Sequence, residues 1–330
     1  MKKIQDNEVR WGILGVGDVC EVKSAPAMNL VDGSRLVAVM RRNAQLAEDY
    51  AKRHKVPKWY SDAQALLNDP DVNAIYIATP PNAHRDLTLL AAAAGKPVYV
   101  EKPMARTHAE CQAMIAACAS AGVPLYVAYY RRTLPHFVKI KALLDAGAIG
   151  EVRHVQVAIN QRPLPDIVRN LDNNWRVNPD IAGGGYFYDL ASHQLDLLDF
   201  LLGPIVDASG MTANQAGRYE AEDIVMATFR FESGALGSGA WCFSTAEVAS
   251  RDHTQIVGSK GQISFASFGA GEFQLQTDDG NEDFHFELPK HIQQFLIQAV
   301  VDELLGRGKS PSTGESGART NRVMERICSQ

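Results

Sequence analysis

No stretch of this chain is apolar for long enough to span a membrane, so a membrane partner is not expected. Residues Met1 to Asn7 contain no apolar core of the kind a secretory signal carries, and export is not expected either. Basic residues come in pairs such as Arg41-Arg42 and Arg131-Arg132, never as a stripe, and the net charge is -5; this argues against nucleic acid as a partner. The 5 cysteines (Cys20, Cys111, Cys118, Cys242, Cys328) are odd in number and scattered, which excludes a disulfide framework and fits a reducing cytoplasm. There is no CxxC, no HExxH and no clustered ligand spacing, so no metal is expected. Internal repeats and low-complexity linkers are also missing. What remains is an ordinary globular composition, 46% hydrophobic and 22% charged over 330 residues, with material for two cores.

The first third alternates short apolar runs with helical stretches. Trp11 to Leu14, Leu36 to Met40, Ala74 to Ala78, Val98 to Val100 and Pro124 to Ala128 read as strands. A stretch from the turn at Gly15 to about Leu30, then Ala44 to His54, Ala83 to Ala94 and His108 to Ala121, read as helices. Strands this short and uniformly apolar belong to a parallel sheet covered on both faces. The expectation is a doubly wound α/β domain over residues 1–130, with ligands at the C-terminal strand ends.

Beyond a joining helix at Pro135 to Ala146 the pattern changes. Strands follow in near succession: Val152 to Ile159, Val206 to Ala213, Ile224 to Phe231, Leu236 to Phe243, Thr254 to Val257 and Ile263 to Phe265. Hairpin turns are expected at Gly258 to Gly261 and Asp278 to Asn281, and helices at Gly185 to Leu202 and Ile292 to Leu305. This predicts an α+β domain over residues 131–330, built on a large, mainly antiparallel open sheet. Two helices can cover only one face of it. The other face is expected to meet a partner subunit, giving a homodimer or homotetramer.

Four features carry chemistry. Gly15-Val16-Gly17-Asp18-Val19-Cys20 lies between a strand and a helix, where two glycines allow a tight turn and the approach of a pyrophosphate. A plain strand–helix turn is the alternative, and Cys20 stands where a third glycine is usual. The second strand ends in Met40-Arg41-Arg42-Asn43, with no acid for a ribose hydroxyl. Two guanidiniums suit a 2′-phosphate, hence NADP over NAD; two solvated surface arginines are the plainer reading. Lys102 in Glu101-Lys102-Pro103 is held extended at a strand end, either aimed at a reacting carbon or simply exposed beside a turn proline. Gly183-Gly184-Gly185 opens a largely apolar helix on which Asp189, His193 and Asp196 fall on one face. They are either a proton-transfer site or a satisfied structural Asp–His pair.

Taken in order, Gly15-x-Gly17, Ala78-Thr79-Pro80-Pro81-Asn82-Ala83-His84, Glu101-Lys102-Pro103 and Gly183-Gly184-Gly185-xxx-Asp189-xxx-His193 resemble the glucose–fructose oxidoreductase/inositol dehydrogenase (Gfo/Idh/MocA) family. The likeness covers nearly the whole chain, from the glycine turn to Pro311-Ser312-Thr313-Gly314-Glu315-Ser316. It implies a Rossmann domain holding NAD or NADP through Gly15, Gly17, Asp18, Val19, Thr79, Pro80, Asn82, His84, Glu101 and Lys102, joined by Arg41 and Arg42. It also implies a small-molecule substrate: a sugar, cyclic polyol, dihydrodiol or related alcohol or ketone. Lys102 then positions substrate and nicotinamide, Asp189 binds substrate, and His193 is the acid/base, with Lys102 competing for that role. Tyr130, Arg131, Trp175, Arg176 and Arg162 are candidates for shaping the substrate pocket, or are ordinary packing and surface. Two other functions share the scaffold: an NAD-dependent glycoside hydrolase and an NADP-sensing regulator without turnover. A regulator would be expected to lose the lysine or histidine, and both are present.

Overall fold

A computed structural model of the chain describes residues 4, 7–163 and 174–329. It forms two units, Met1–Tyr130 with Pro289–Ala318, and Arg131–Leu288 with Arg319–Gln330. The return of Pro289–Ala318 to the first unit corrects a division into two consecutive segments. Its cause is a helix, Gln294–Leu304, whose Leu296, Ile297, Val300, Val301 and Leu304 are buried against Trp11, Tyr76 and Tyr99.

In the first unit six parallel strands, β1 (Val9–Leu14), β2 (Ser34–Met40), β3 (Lys58–Tyr60), β4 (Ala74–Ile77), β5 (Val98–Val100) and β6 (Leu125–Val127), lie in the order β3-β2-β1-β4-β5-β6. This is the Rossmann order, and alternate residues feed two cores. Ile13, Val39, Tyr76 and Tyr99 face one core, and Ala38, Ile75, Val98 and Val100 face the other. The helix Ala44–His54 is capped by the Asn43 side chain and His108–Ala121 by that of Thr107. The stretch after the glycine turn is not one helix but two, Asp18–Val22 and Ala25–Met28. Pro26 cannot donate the hydrogen bond that would join them. β3 and the helix Ala63–Leu67 escape the sequence pattern because both are short.

In the second unit β7 (Val152–Asn160), β8 (Ile205–Ala213), β9 (Ile224–Phe231), β10 (Leu236–Cys242), β11 (Arg251–Gly258), β12 (Gly261–Phe265), β13 (Glu272–Thr277) and β14 (Gly280–His285) form one sheet. The order is β14-β13-β12-β11-β7-β10-β9-β8, antiparallel except between β7 and β10. Val157, Ile159, Phe229, Trp241, Ile256 and Ile263 are buried on one face. Helices Pro135–Asp145 and Ser192–Leu202 lie on that side, where Phe137 meets Phe265 and Gln194 bonds Trp241. The opposite face exposes Met211, Leu236 and Met226. Among the described residues no helix is long and apolar enough to cross a membrane.

Candidate active site

In the first unit three loops leave the C-terminal ends of the neighbouring strands β1, β4 and β5. The turn after β1 is tied to the end of β2, since the amides of Gly15 and Val16 donate to Met40 O at 2.9 and 3.2 Å. Arg41 and Arg42 follow that carbonyl and are exposed. Gly15 has φ +92°, and a Cβ there would run into Thr79 Cγ2. At Gly17 a Cβ would meet nothing within 4 Å. The turn is thus packed against the β4 loop at one glycine and open at the other, and Thr79 Oγ1 is buried with no hydrogen-bond partner. A dinucleotide phosphate fits this arrangement, with Gly17, Asp18 and Val19 as the residues that would hold it. Asp18 and Asn82 are exposed and Pro80 is half-buried at the same edge.

His84 and Glu101 brace these loops. The His84 ring is fully buried, with Nε2 2.8 Å from Thr79 O and Nδ1 3.1 and 3.2 Å from the carbonyls of Pro103 and Met104. Burial lowers its pKa, against those backbone contacts. Both nitrogens are engaged by backbone, so His84 joins the Thr79 and Lys102 loops rather than presenting a polar atom to a ligand. Glu101 accepts from Tyr76 Oη at 2.6 Å, Gln293 Nε2 at 2.7 Å and the Lys102 amide at 3.1 Å. Gln293 in turn accepts from Tyr99 Oη at 2.9 Å. Lys102 is half-buried, and the Lys102–Pro103 peptide is cis. Tyr130 packs against the core of this unit.

In the second unit the expected helix from Gly185 to Leu202 is two kinds of helix. Phe187–Ala191 is a π-helical turn, and Ser192–Leu202 is α. Tyr188 lies over Gly184 so closely that a Cβ could not be placed there, and Glu222 Oε1 accepts from the Gly185 amide at 3.0 Å. The wide turn carries Asp189, and the first α turn carries His193, which is buried. Arg176 Nε lies 3.3 Å from Asp189 Oδ2, and its guanidinium stacks 4.5 Å from the Trp175 ring. Asn174 donates to Tyr186 Oη at 3.0 Å. The His193 ring meets Phe268 edge-on at 5.9 Å.

Asp196 does not join this group, although the α-helical spacing puts it on the same face. Arg132 holds it in a bidentate pair at 2.8 and 2.8 Å, while Asp199 takes Arg132 at 3.0 Å and Arg319 at 2.7 Å. Burial pushes the Asp196 carboxyl up to about 6, against the pull of Arg132. Arg131 is buried, with Nε on Ser267 O at 2.8 Å. Arg162 is exposed and pairs with Glu247 at 2.7 Å. Sequence reasoning missed Gln293, Glu222, Gln194 and Phe268, which act through partners far along the chain and have no local pattern.

A six-stranded parallel sheet in the Rossmann order, followed by an eight-stranded, mainly antiparallel sheet, is the architecture of a two-domain nicotinamide-dependent oxidoreductase. Residues 9–129 match the model of an oxidoreductase family with an NAD-binding Rossmann fold, and residues 137–264 match the GFO/IDH/MocA C-terminal domain. Oxidoreductase P35 of Formosa agariphila is 37% identical over 98% of this chain and 99% of its own. A 1,5-anhydro-D-fructose reductase of Ensifer adhaerens is 28% identical over 93% and 92%. The solved aldose-aldose oxidoreductase of Caulobacter crescentus, complexed with glycerol, superposes with TM-score 0.85 at 28% identity, covering 96% of each chain. The chain belongs to the Gfo/Idh/MocA family. It is an NAD(P)-dependent dehydrogenase or reductase acting on CH–OH groups.

Proposed function

We propose that this enzyme moves a hydride between NADP(H), with NAD(H) the weaker cofactor, and a hydroxyl or ketone of a sugar-like compound, cyclic polyol or dihydrodiol. The relatives named for 1,5-anhydro-D-fructose and for aldoses support that substrate class. The observation that carries the reading is a buried imidazole, His193, one turn from a carboxylate, Asp189, that an arginine already orients. Histidine titrates near neutral pH and suits a base that must take and return a proton. When bound, the nicotinamide supplies the hydride acceptor or donor. His193 takes the hydroxyl proton in oxidation and gives it back in reduction, Asp189 holds the substrate, and the Lys102 ammonium stabilises the developing alkoxide. The odd, scattered cysteines support a cytoplasmic setting.

The cofactor preference rests on Arg41 and Arg42. A charge-assisted hydrogen bond contributes about 1.5–3 kcal/mol, or roughly ten- to over a hundredfold in affinity. Arg41→Asp is expected to narrow or reverse the preference in calorimetry, and tighter NAD(H) binding by the wild type would overturn it. A panel of sugars, inositols and vicinal diols with NAD and NADP, read at the nicotinamide absorbance, tests the reaction itself. Release of an aglycone without net cofactor reduction would point instead to glycoside cleavage.

A further inference from the structure

Phe268 sits in the turn between β12 and β13 and is 37% exposed. An exposed phenylalanine on a turn needs no explanation by itself. This one is fixed from several directions, all within the second unit. Asp252 accepts the amides of Ser267 at 3.1 Å and of Phe268 at 2.6 Å. The Arg131 guanidinium lies 4.2 Å from the Phe268 ring centroid, and its Nε anchors the carbonyl of Ser267. Ser267 Oγ accepts from Gln194 Nε2 at 3.2 Å, and Gln194 Oε1 accepts from Trp241 Nε1 at 2.7 Å. Gln194 is the residue after His193, so one helix both carries the imidazole and holds the turn beside it.

We propose that Phe268 is a specificity-determining residue, an aromatic wall beside His193 that favours a ring-closed substrate over an open-chain polyol. The proposal rests on the reading of His193 as the group that meets the substrate. A ring bound through a hydroxyl within about 3 Å of a His193 nitrogen has its other carbons within reach of Phe268, whose centroid stands 5.9 Å from that of the imidazole, on the side of the phenyl ring that Arg131 leaves free. A pyranose or inositol ring offers a flat C–H face to an aromatic ring. An open-chain polyol has no such face and loses more rotor freedom on binding.

The test is steady-state kinetics of wild type, Phe268→Ala and Phe268→Tyr with myo-inositol, methyl α-D-glucopyranoside and sorbitol. Phe268→Ala should lower kcat/KM for the cyclic compounds about tenfold, mostly through KM, and sorbitol by less than about twofold. Phe268→Tyr should restore the preference. Equal losses in both classes, or none in either, overturn the proposal. Saturation-transfer NMR of methyl α-D-glucopyranoside on the cofactor-loaded protein reads the wall without turnover. Saturation should reach the sugar ring protons in the wild type and fall several-fold in Phe268→Ala at the same sugar concentration; its absence from the wild type, or an equal signal in both proteins, also overturns the proposal. Saturation that depends on Phe268 in a protein that turns over no alcohol with either cofactor supports the wall and sinks the dehydrogenase reading alone.

Discussion

At Gly15 and Gly17 one residue type answers two demands. Gly15 has a left-handed φ and packs against Thr79, so Gly15→Ala should cost about 1–3 kcal/mol of stability as well as cofactor binding. Gly17 has φ -137 and open space, so Gly17→Ala should leave stability within about 0.5 kcal/mol. Its added methyl would sit where a phosphate is expected, and NADPH affinity should fall at least about tenfold. Fluorescence titration beside thermal unfolding separates the two. Lys102→Ala and His193→Ala should each lower turnover roughly 10²–10⁴-fold with little change in NADPH affinity. Near wild-type rates in both variants would mean the proton-transfer assignment is wrong. These positions were legible because glycine or proline marks them in the sequence. Their supports were not: Gln293 reaches Glu101 across a sequence separation of 192, and Glu222 reaches Gly185 across 37.

The helix Ser192–Leu202 divides its polar residues between chemistry and structure. Asp196 is completely buried, and Asp199 nearly so, with Arg132 between them. Arg132→Ala leaves two carboxylates without that guanidinium and should cost about 3–5 kcal/mol in urea unfolding. The amphipathic pattern showed the polar stripe, but not which member a distant arginine would claim. Nor did it show the π turn at Phe187–Ala191, since no local residue pattern sets the number of residues per turn there. On the helix Pro135–Asp145, burial and then Arg131 hold the His136 pKa down to about 4 from 6.5. The unfolded chain therefore takes up this proton first as pH falls. The contribution of His136 is full above about pH 6.5 and is lost toward pH 4, at most about 3 kcal/mol. Wild type minus His136→Gln, compared by chemical denaturation across that window, isolates it from opposing groups such as Asp196.

For the whole molecule, the doubly wound class and the antiparallel sheet were both foreseeable from the change in strand spacing beyond the helix at Pro135; the strand order, with the short β3 at its edge, was not. The fate of the last 40 or so residues was not, because their apolar spacing fits a helix on either sheet. Among the described residues the second face of the antiparallel sheet leaves Met211 70%, Leu236 57% and Met226 46% exposed, and we propose that a closed dimer or dimer of dimers covers it. Light scattering at micromolar concentration should give a multiple of 36.1 kDa, and Met226→Asp should shift it toward the single chain. The return of Pro289–Ala318 also sets the timing of folding. The Asp32 amide donates to Gln298 across a separation of 266 residues, and Leu296 to Leu304 complete a core begun by Val9 and Trp11. A ribosome that has released only the first 130 residues has made a sheet with one flank bare. That unit should become protease-resistant only after the chain has emerged past Leu304, a late, high-contact-order closure. Pulse proteolysis of stalled nascent chains of increasing length would time it, and resistance at 130 residues would show the flank is dispensable.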